Sequence, residues 1–122
     1  MTLKENSLLV VIAAAGIGKR YAGDKPKQYA QINGKSVIEK AIEPFLNSKY
    51  VSKIIIAISK NDMEIKNQSF FHFEKIQYVD GGTTRQESIN NGLNAAEYKY
   101  EYVITHDAAR PNIKEEDIYE LY

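Results

Sequence analysis

One loop near the start of the chain combines small residues with four basic side chains. Residues 13–18 read Ala-Ala-Ala-Gly-Ile-Gly, and the cations that follow are Lys19, Arg20, Lys25 and Lys27. Small residues leave room for backbone amides to approach a polyphosphate closely, and basic side chains neutralise its charge. The alternative is a solvated basic surface loop, but the run of small residues from Ala13 to Gly16 argues against it. We therefore predict that this loop binds a phosphate-bearing ligand.

The two familiar phosphate-binding motifs do not explain this loop. The P-loop requires GxxxxGK[ST], but Ala13 occupies its first glycine position and Arg20 its Ser or Thr position. The dinucleotide fingerprint GxGxxG requires a glycine where Tyr21 stands. The loop therefore belongs to neither class, and the identity of its ligand depends on other parts of the chain.

A second candidate loop, residues 80–88, contains paired glycines. Gly81 and Gly82 stand between an apolar segment and a predicted helix, in the stretch Asp-Gly-Gly-Thr-Thr-Arg-Gln-Glu-Ser. Glycines let a backbone pass close to a ligand, and the first turn of a helix supplies free amide donors. A tight turn followed by a helix cap is the alternative explanation of the same residues.

A third candidate loop reads His-Asp-Ala-Ala-Arg-Pro over residues 106–111. An aspartate at a strand end suits Mg²⁺, which binds few carboxylates and keeps most of its waters, so Asp107 is the candidate ligand. Arg110 can bind a phosphate through two parallel hydrogen bonds. The alternative is a turn in which the aspartate and the arginine pair with each other. We expect His106 and His72 to serve packing or support rather than acid–base chemistry.

These three loops need a sheet to bring them together. Leu8–Ala13 and Ile54–Ile58 are continuous apolar runs, which are typical of strands buried on both faces, and Ile76–Val79 and Tyr102–Thr105 are shorter candidates. Each loop follows one of these strands. Because ligands bind beyond the carboxyl ends of parallel strands, we expect all three loops at one edge of the sheet.

Segments with helical spacing separate the strands. Ser36 and Glu39 form a capping box, in which the serine caps the helix and the glutamate reaches back to its amide. The apolar stripe that follows consists of Val37, Ile38, Ala41, Ile42 and Phe45. Pro44 is expected to bend or end this helix.

The remaining helices complete an alternating pattern. Thr84 and Glu87 form a second possible capping box, a short helix is expected after Asn61, and another is expected from Lys114 to the end of the chain. Strand and helix therefore alternate, which predicts an α/β fold with a doubly wound, mostly parallel sheet and helices on both faces.

Composition narrows the classes of protein. The 122 residues suffice for one domain, and sixteen Lys and Arg balance sixteen Asp and Glu, which disfavours a general nucleic-acid binder. The absence of cysteine excludes disulfides, thiolate zinc sites and cysteine nucleophiles. The apolar run Leu8–Ala15 is too short to span a bilayer, and no signal peptide is visible, so we expect a cytoplasmic protein.

Four stretches in order resemble one family. They are AAAGIGKR (13–20), PKQY (26–29), GGTTRQESINNGL (81–93) and HDAARP (106–111). This set is similar to the 2-C-methyl-D-erythritol 4-phosphate cytidylyltransferases of the non-mevalonate isoprenoid pathway, over nearly the whole chain. Ribitol-phosphate cytidylyltransferases are similar too, but they usually carry LAGG and HDSVRP where this chain has AAAG and HDAARP. The resemblance implies a Rossmann-like nucleotidyltransferase fold.

The resemblance also implies a reaction and a set of roles. Cytidylyl transfer from CTP to methylerythritol phosphate, with Mg²⁺ and release of pyrophosphate, would use Arg20 and Lys27 as catalytic residues. The metal ligand would be Asp107, and Arg110 would face the methylerythritol phosphate. The implied CTP-binding residues are Ala13, Ala14, Ala15, Gly16, Gly18, Gly81, Gly82, Ser88 and Ala108.

The chain differs from the usual family sequence at two positions, and members of the family are longer. Ala13 stands where many members have proline, and Thr83 stands where some have aspartate, so any contact made by that carboxylate is in question. Because members of the family extend beyond the position of Tyr122, we expect residues 1–122 to be the N-terminal CTP-binding portion of a single nucleotidyltransferase domain. We expect this portion to be inactive alone and the full-length protein to be a homodimer. A ribitol-phosphate enzyme and a non-catalytic nucleotide-binding module are the alternatives.

Overall fold

The fold was analysed on a computed structural model that describes residues 4–15, 27–96, 100–108 and 118–120, with the backbone alone for Lys27 and residues 118–120. The strands in this part of the chain are β1 (Leu8–Ala14), β2 (Gln31–Ile32), β3 (Lys35–Ser36), β4 (Val51–Ile58), β5 (Ile76–Asp80), β6 (Tyr102–Asp107) and β7 (Ile118–Glu120). The α-helices are α1 (Val37–Leu46) and α2 (Arg85–Ala95), and short 3-10 helices span Lys27–Tyr29 and Ile65–Asn67. Among the described residues, none of the helices has the length and apolar composition needed to cross a membrane.

The main sheet has the strand order β5-β4-β1-β6-β7. β4 and β6 flank β1 in parallel, β5 is parallel to β4, and β7 runs antiparallel to β6. The chain therefore proceeds from β1 outward to β4 and β5, and then returns to the other side of β1 as β6. This reversal places a topological switch point between the carboxyl ends of β1 and β6, where doubly wound sheets bind ligands.

Alternate side chains of β1 pack on opposite faces of the sheet. Val10 and Ile12 belong to the core that includes Ile38 and Ile42 of α1. Leu9 and Val11 belong to a second core that includes Ile89 of α2. Because successive side chains of a strand point to opposite faces, the predicted arrangement with helices on both faces is confirmed.

The predicted start of α1 is confirmed. Ser36 is the N-cap, and its hydroxyl accepts a hydrogen bond from the backbone N–H of Glu39 at 3.2 Å. The buried residues of the helix are the five predicted ones, Val37, Ile38, Ala41, Ile42 and Phe45. Pro44 lies inside the helix, which ends two residues later at Leu46.

The second predicted cap is also present, at the start of α2. Thr84 is the N-cap and accepts from the N–H of Glu87 at 3.1 Å. Further along, Gly92 lets this helix approach β1, because a Cβ at that position would lie 2.5 Å from Cγ1 of Val11. The cap therefore begins α2 next to the second candidate loop, and Gly92 seats it on the central strand.

The helix predicted from Lys114 to the end of the chain is wrong over Ile118–Glu120. These residues form β7, in which Ile118 pairs with Ile104 and Glu120 with Tyr102. Without β7, the backbone donors and acceptors along one side of β6 would be unpaired. The short segment Ile118–Glu120 pairs with them as an edge strand. Residues 114–117 lie outside the described residues. The short helix expected after Asn61 is confirmed as the 3-10 turn Ile65–Asn67.

Candidate functional site

The carboxyl ends of β1 and β6 lie side by side. Ala13 is in register with Asp107, and the N–H of Ala108 donates to the carbonyl of Ala13 at 3.0 Å. Ala14 and Ala108 are buried in the α1-side core, so their methyl groups serve packing. The first and third candidate loops therefore start from one point of the sheet, as predicted.

The second candidate loop contacts the end of β1 as well. The N–H of Gly81 donates to the carbonyl of Ile58 at 2.7 Å, which extends the pairing of β4 and β5 by one residue. A Cβ on Gly81 would overlap Cβ of Ala15 and would lie 2.9 Å from the hydroxyl of Ser88. The need for glycine at this position thus arises from the packing of two loops and a helix against one another.

Ser88 organises the turn that precedes α2. Its side chain is 2% exposed, and its hydroxyl accepts a hydrogen bond from the N–H of Gly82 at 3.0 Å. A serine hydroxyl that accepts one hydrogen bond can still donate its own proton to a second partner. Ser88 is therefore suited to donate to an acceptor atom of a ligand bound at this turn.

Glu87 holds the same turn from the outside. Its carboxylate accepts from the backbone N–H of Thr83 at 3.1 Å and from the Thr83 hydroxyl at 3.0 Å. The glutamate of the predicted capping box therefore reaches Thr83, one residue before the N-cap. An aspartate at position 83 would replace the donating hydroxyl with a second negative charge, so the threonine suits the neighbouring glutamate.

A pocket of about 310 Å³ opens between these loops. Its lining residues are Ala15, Ser59, Lys60, Gly81, Gly82, Thr83 and Glu87. Sequence reasoning missed Ser59 and Lys60, which follow β4 directly. They lie at the same edge of the sheet as the three candidate loops, so the rule that selected those loops, applied to the segment after Ile58, would have found them.

The 3-10 helix Lys27–Tyr29 is attached to this edge by two buried side chains. Gln28 is 5% exposed, and its Nε2 donates to the carbonyl of Ala14 at 2.6 Å. Tyr29 is 2% exposed, and its hydroxyl donates to the Asp62 carboxylate. Burial, and secondarily the Asp62 carboxylate, raises the pKa of Tyr29 well above its usual range, so this phenol stays protonated. Both residues lie in the stretch PKQY, to which the sequence analysis gave no role beyond that of Lys27.

The predicted site residues that the structure describes converge on this edge. They are Ala13, Ala14, Ala15, Gly81, Gly82, Ser88, Asp107 and Ala108. Gly16, Gly18, Arg20 and Arg110 lie outside the described residues, as does the side chain of Lys27. Their roles stay predictions.

Asp107 ends β6 as a partly buried carboxylate at the switch point. Among the described residues, no group of three or more His, Cys, Asp or Glu side chains could hold a metal ion. Mg²⁺ does not need such a group, because it is commonly bound by one or two carboxylates together with phosphates and waters. A single aspartate beside a loop that is predicted to bind phosphate fits this donor set.

The two histidines make aromatic contacts. His106 is 1% exposed, and its ring meets that of Phe45 edge-on, with 6.1 Å between the centroids. His72 contacts Phe71 in the same way at 5.0 Å. Both contacts agree with the packing roles that were expected from the sequence.

The strand order and the position of the loops at its switch point define an α/β domain with a nucleotidyltransferase fold. Crystal structures of 4-diphosphocytidyl-2C-methyl-D-erythritol synthase from Anaerococcus prevotii and 2-C-methyl-D-erythritol 4-phosphate cytidylyltransferase from Francisella tularensis share this fold. The Anaerococcus structure has a TM-score of 0.70 and is 32% identical, and the alignment covers 89% of this chain and 46% of that chain. The Francisella structure has a TM-score of 0.68 and is 33% identical, and the alignment covers 90% of this chain and 48% of that chain. The family model of 2-C-methyl-D-erythritol 4-phosphate cytidylyltransferase matches residues 8–122, and the chain belongs to that family.

A relative of the same name from Haemophilus influenzae (strain PittGG) is 48% identical over 115 residues, which cover 94% of this chain and 50% of that protein. The chain thus spans about half the length of the curated relatives it matches. Membership of a family of cytidylyltransferases confirms the predicted fold and the prediction of an enzyme family.

Proposed function

We propose that the protein containing this chain transfers a cytidylyl group from CTP to 2-C-methyl-D-erythritol 4-phosphate in the synthesis of isoprenoid precursors. The observation that carries the proposal is the register of β1 and β6, which sets Ala13 beside Asp107 in a member of this family. Family membership also carries the proposals that the protein works in the cytoplasm and as a homodimer.

The reaction is an in-line displacement at the α-phosphorus of CTP. An oxygen of the acceptor's monophosphate forms a bond to that phosphorus, the bond to the bridging oxygen of the β-phosphate breaks, and pyrophosphate leaves. Such transfers depend on positioning and on stabilisation of negative charge. Arg20 and Lys27 supply the positive charge at the α-phosphate and the leaving group, and Gly16 and Gly18 let the loop backbone approach the triphosphate.

The base of CTP is recognised by the turn before α2. Ser88 accepts from the N–H of Gly82 and donates its proton to an acceptor on the pyrimidine ring. Backbone carbonyls near Gly81 accept from the exocyclic amine. The pocket between Ala15 and Glu87 supports this proposal, because it lies directly against that turn.

Asp107 is the proposed Mg²⁺ ligand, and Arg110 binds the phosphate of the acceptor. Ala108 is fully buried in the core, so the ribose contact implied by the resemblance is not part of the proposal. When bound, the metal neutralises negative charge on the phosphates. The partly buried Asp107 carboxylate at the switch point supports this assignment, since it stands where the triphosphate is proposed to lie.

The experiment is a Lys27→Ala substitution in the protein that contains this chain, followed by Mg²⁺-dependent pyrophosphate release from CTP and methylerythritol phosphate. We expect kcat to fall about 100- to 1,000-fold, the usual effect of removing a group that stabilises transition-state charge, while CTP still binds. Lys49→Ala is the matched control, because this exposed lysine precedes β4 at the opposite edge of the sheet. Unchanged release in the Lys27 variant would contradict the proposed role.

The same assay decides between acceptors. Ribitol 5-phosphate replaces methylerythritol phosphate, and we expect release with the methylerythritol compound only. Release with ribitol phosphate alone would identify the other cytidylyltransferase, and CTP binding without release from either acceptor would identify a non-catalytic nucleotide-binding module.

A further inference from the structure

We propose that Gln28 and Tyr29 are positioning residues that hold the backbone of Lys27 against the carboxyl ends of β1 and β4. The inference rests on the proposed function, because it concerns how the lysine assigned to charge stabilisation is held. Lys27 begins a 3-10 helix of three residues, and the other two carry the anchoring side chains. The location of this short helix therefore determines the position of the Lys27 backbone, from which its side chain extends.

The first anchor joins the helix to β1. Ala14 is the last residue of β1, and its carbonyl accepts from Nε2 of the buried Gln28 at 2.6 Å. Fourteen positions separate the two residues in sequence. This hydrogen bond thus fixes the residue after Lys27 to the end of the central strand, and a buried carbonyl left without it would be unsatisfied.

The second anchor joins the helix to the segment after β4. The Tyr29 hydroxyl donates to Oδ2 of Asp62. Oδ1 of Asp62 accepts from the backbone N–H groups of Glu64 at 2.9 Å and Ile65 at 3.1 Å, so the carboxylate is itself held in place. Tyr29 therefore bonds to a fixed partner and not to a movable surface side chain.

Packing alone does not require these polar groups. A phenylalanine could fill most of the volume of Tyr29, and an apolar side chain could fill that of Gln28. Both residues instead place a buried hydrogen-bond donor against an acceptor that is distant in sequence. The two anchors attach the helix at two different places, the last residue of β1 and the segment after β4. The rate of cytidylyl transfer depends on where the catalytic groups are placed, because misplacement of a reacting group by about 1 Å can lower the rate about 100-fold.

The first measurement compares Tyr29→Phe and Gln28→Met in the protein that contains this chain. We expect each variant to stay folded and to lose about tenfold to a hundredfold in kcat, with the KM for CTP within about twofold of its original value. Tyr78→Phe is the matched control, because Tyr78 also donates a hydrogen bond, to the Phe71 carbonyl, away from the site. An unchanged kcat in folded Tyr29→Phe and Gln28→Met variants would overturn the inference.

The second measurement places Gln28→Met in a Lys27→Ala background. If Gln28 acts through Lys27, the second substitution causes no further loss of kcat, whereas independent effects multiply. Multiplying effects would overturn the positioning role and leave the role of Lys27 intact. If Lys27→Ala alone left release unchanged, the proposed function of the lysine would fail first, and the inference would fail with it.

Discussion

Contacts between the loops of the candidate site determine which residue types fit at some of its positions. Gly81 has no room for a side chain, because Ala15 and Ser88 already occupy the space that a Cβ would take. Ser88 in turn accepts from the amide of Gly82. The paired glycines were predicted to admit a ligand, and the structure gives each a second reason. Gly81 lies against the loop after β1, and a Cβ on Gly82 would overlap Glu87.

A substitution at Gly81 tests this contact. Gly81→Ala is expected to lower the free energy of unfolding by about 1–3 kcal/mol, because the added methyl group overpacks a site without free volume. Ala15→Gly in the same background removes the main overlap and is expected to recover part of the loss. Denaturant unfolding measures both variants, and equal stability of Gly81→Ala and the original chain would contradict the described packing.

The elements that carry the site are tied together at their ends. Ser36 and Thr84 cap α1 and α2 at their amino ends. At the carboxyl end of α1, the ammonium group of Lys75 donates to the carbonyls of Phe45, Leu46 and Ser48 at 3.4, 3.3 and 3.0 Å. Because the last carbonyls of a helix lack partners within it, this lysine, which directly precedes β5, adds a cationic donor there and joins α1 to the sheet.

Removal of that cationic cap is expected to destabilise the chain. Lys75→Met retains much of the length of the side chain but removes the cationic donor from the carbonyls at the end of α1, at a cost of about 1 kcal/mol. Lys66→Met, at an exposed position of the second 3-10 helix, is the control and is expected to have little effect. Thermal unfolding followed by circular dichroism distinguishes the two, and equal midpoints would refute the capping role.

At the scale of the whole molecule, the order of the strands assembles the site. Ala13, Ser59, Gly81 and Asp107 are far apart in sequence, and each lies at or just beyond the carboxyl end of a parallel strand. The two cores on either side of the sheet pack β1 between α1 and α2. The same cores bury tyrosine side chains, which makes the stability of the molecule depend on pH.

Burial raises the pKa of Tyr78 to about 12 from a usual value of 10.0. The unfolded chain therefore loses this proton at lower pH than the folded chain does. The stabilising contribution is fully present below pH 10 and is lost as the pH rises from 10 through about 12. We expect the free energy of unfolding to fall over that interval, and to fall less steeply in Tyr78→Phe. A pH profile of urea unfolding checks this, and identical slopes for the two proteins would contradict it.

Local patterns in the sequence determined the strands β1 and β4, the caps at Ser36 and Thr84, and the buried stripe of α1, because hydrophobic periodicity and helix capping act between residues close in the chain. The order of the four motifs also determined the family. Tertiary structure alone decided that Ile118–Glu120 pair with the edge of β6, that Ala15 fills the space beside Gly81, and that Gln28 and Tyr29 bond to Ala14 and Asp62. The physical reason is that each of these partners is distant in sequence, so a donor, an acceptor or a methyl group acquires its neighbour only when the sheet has formed.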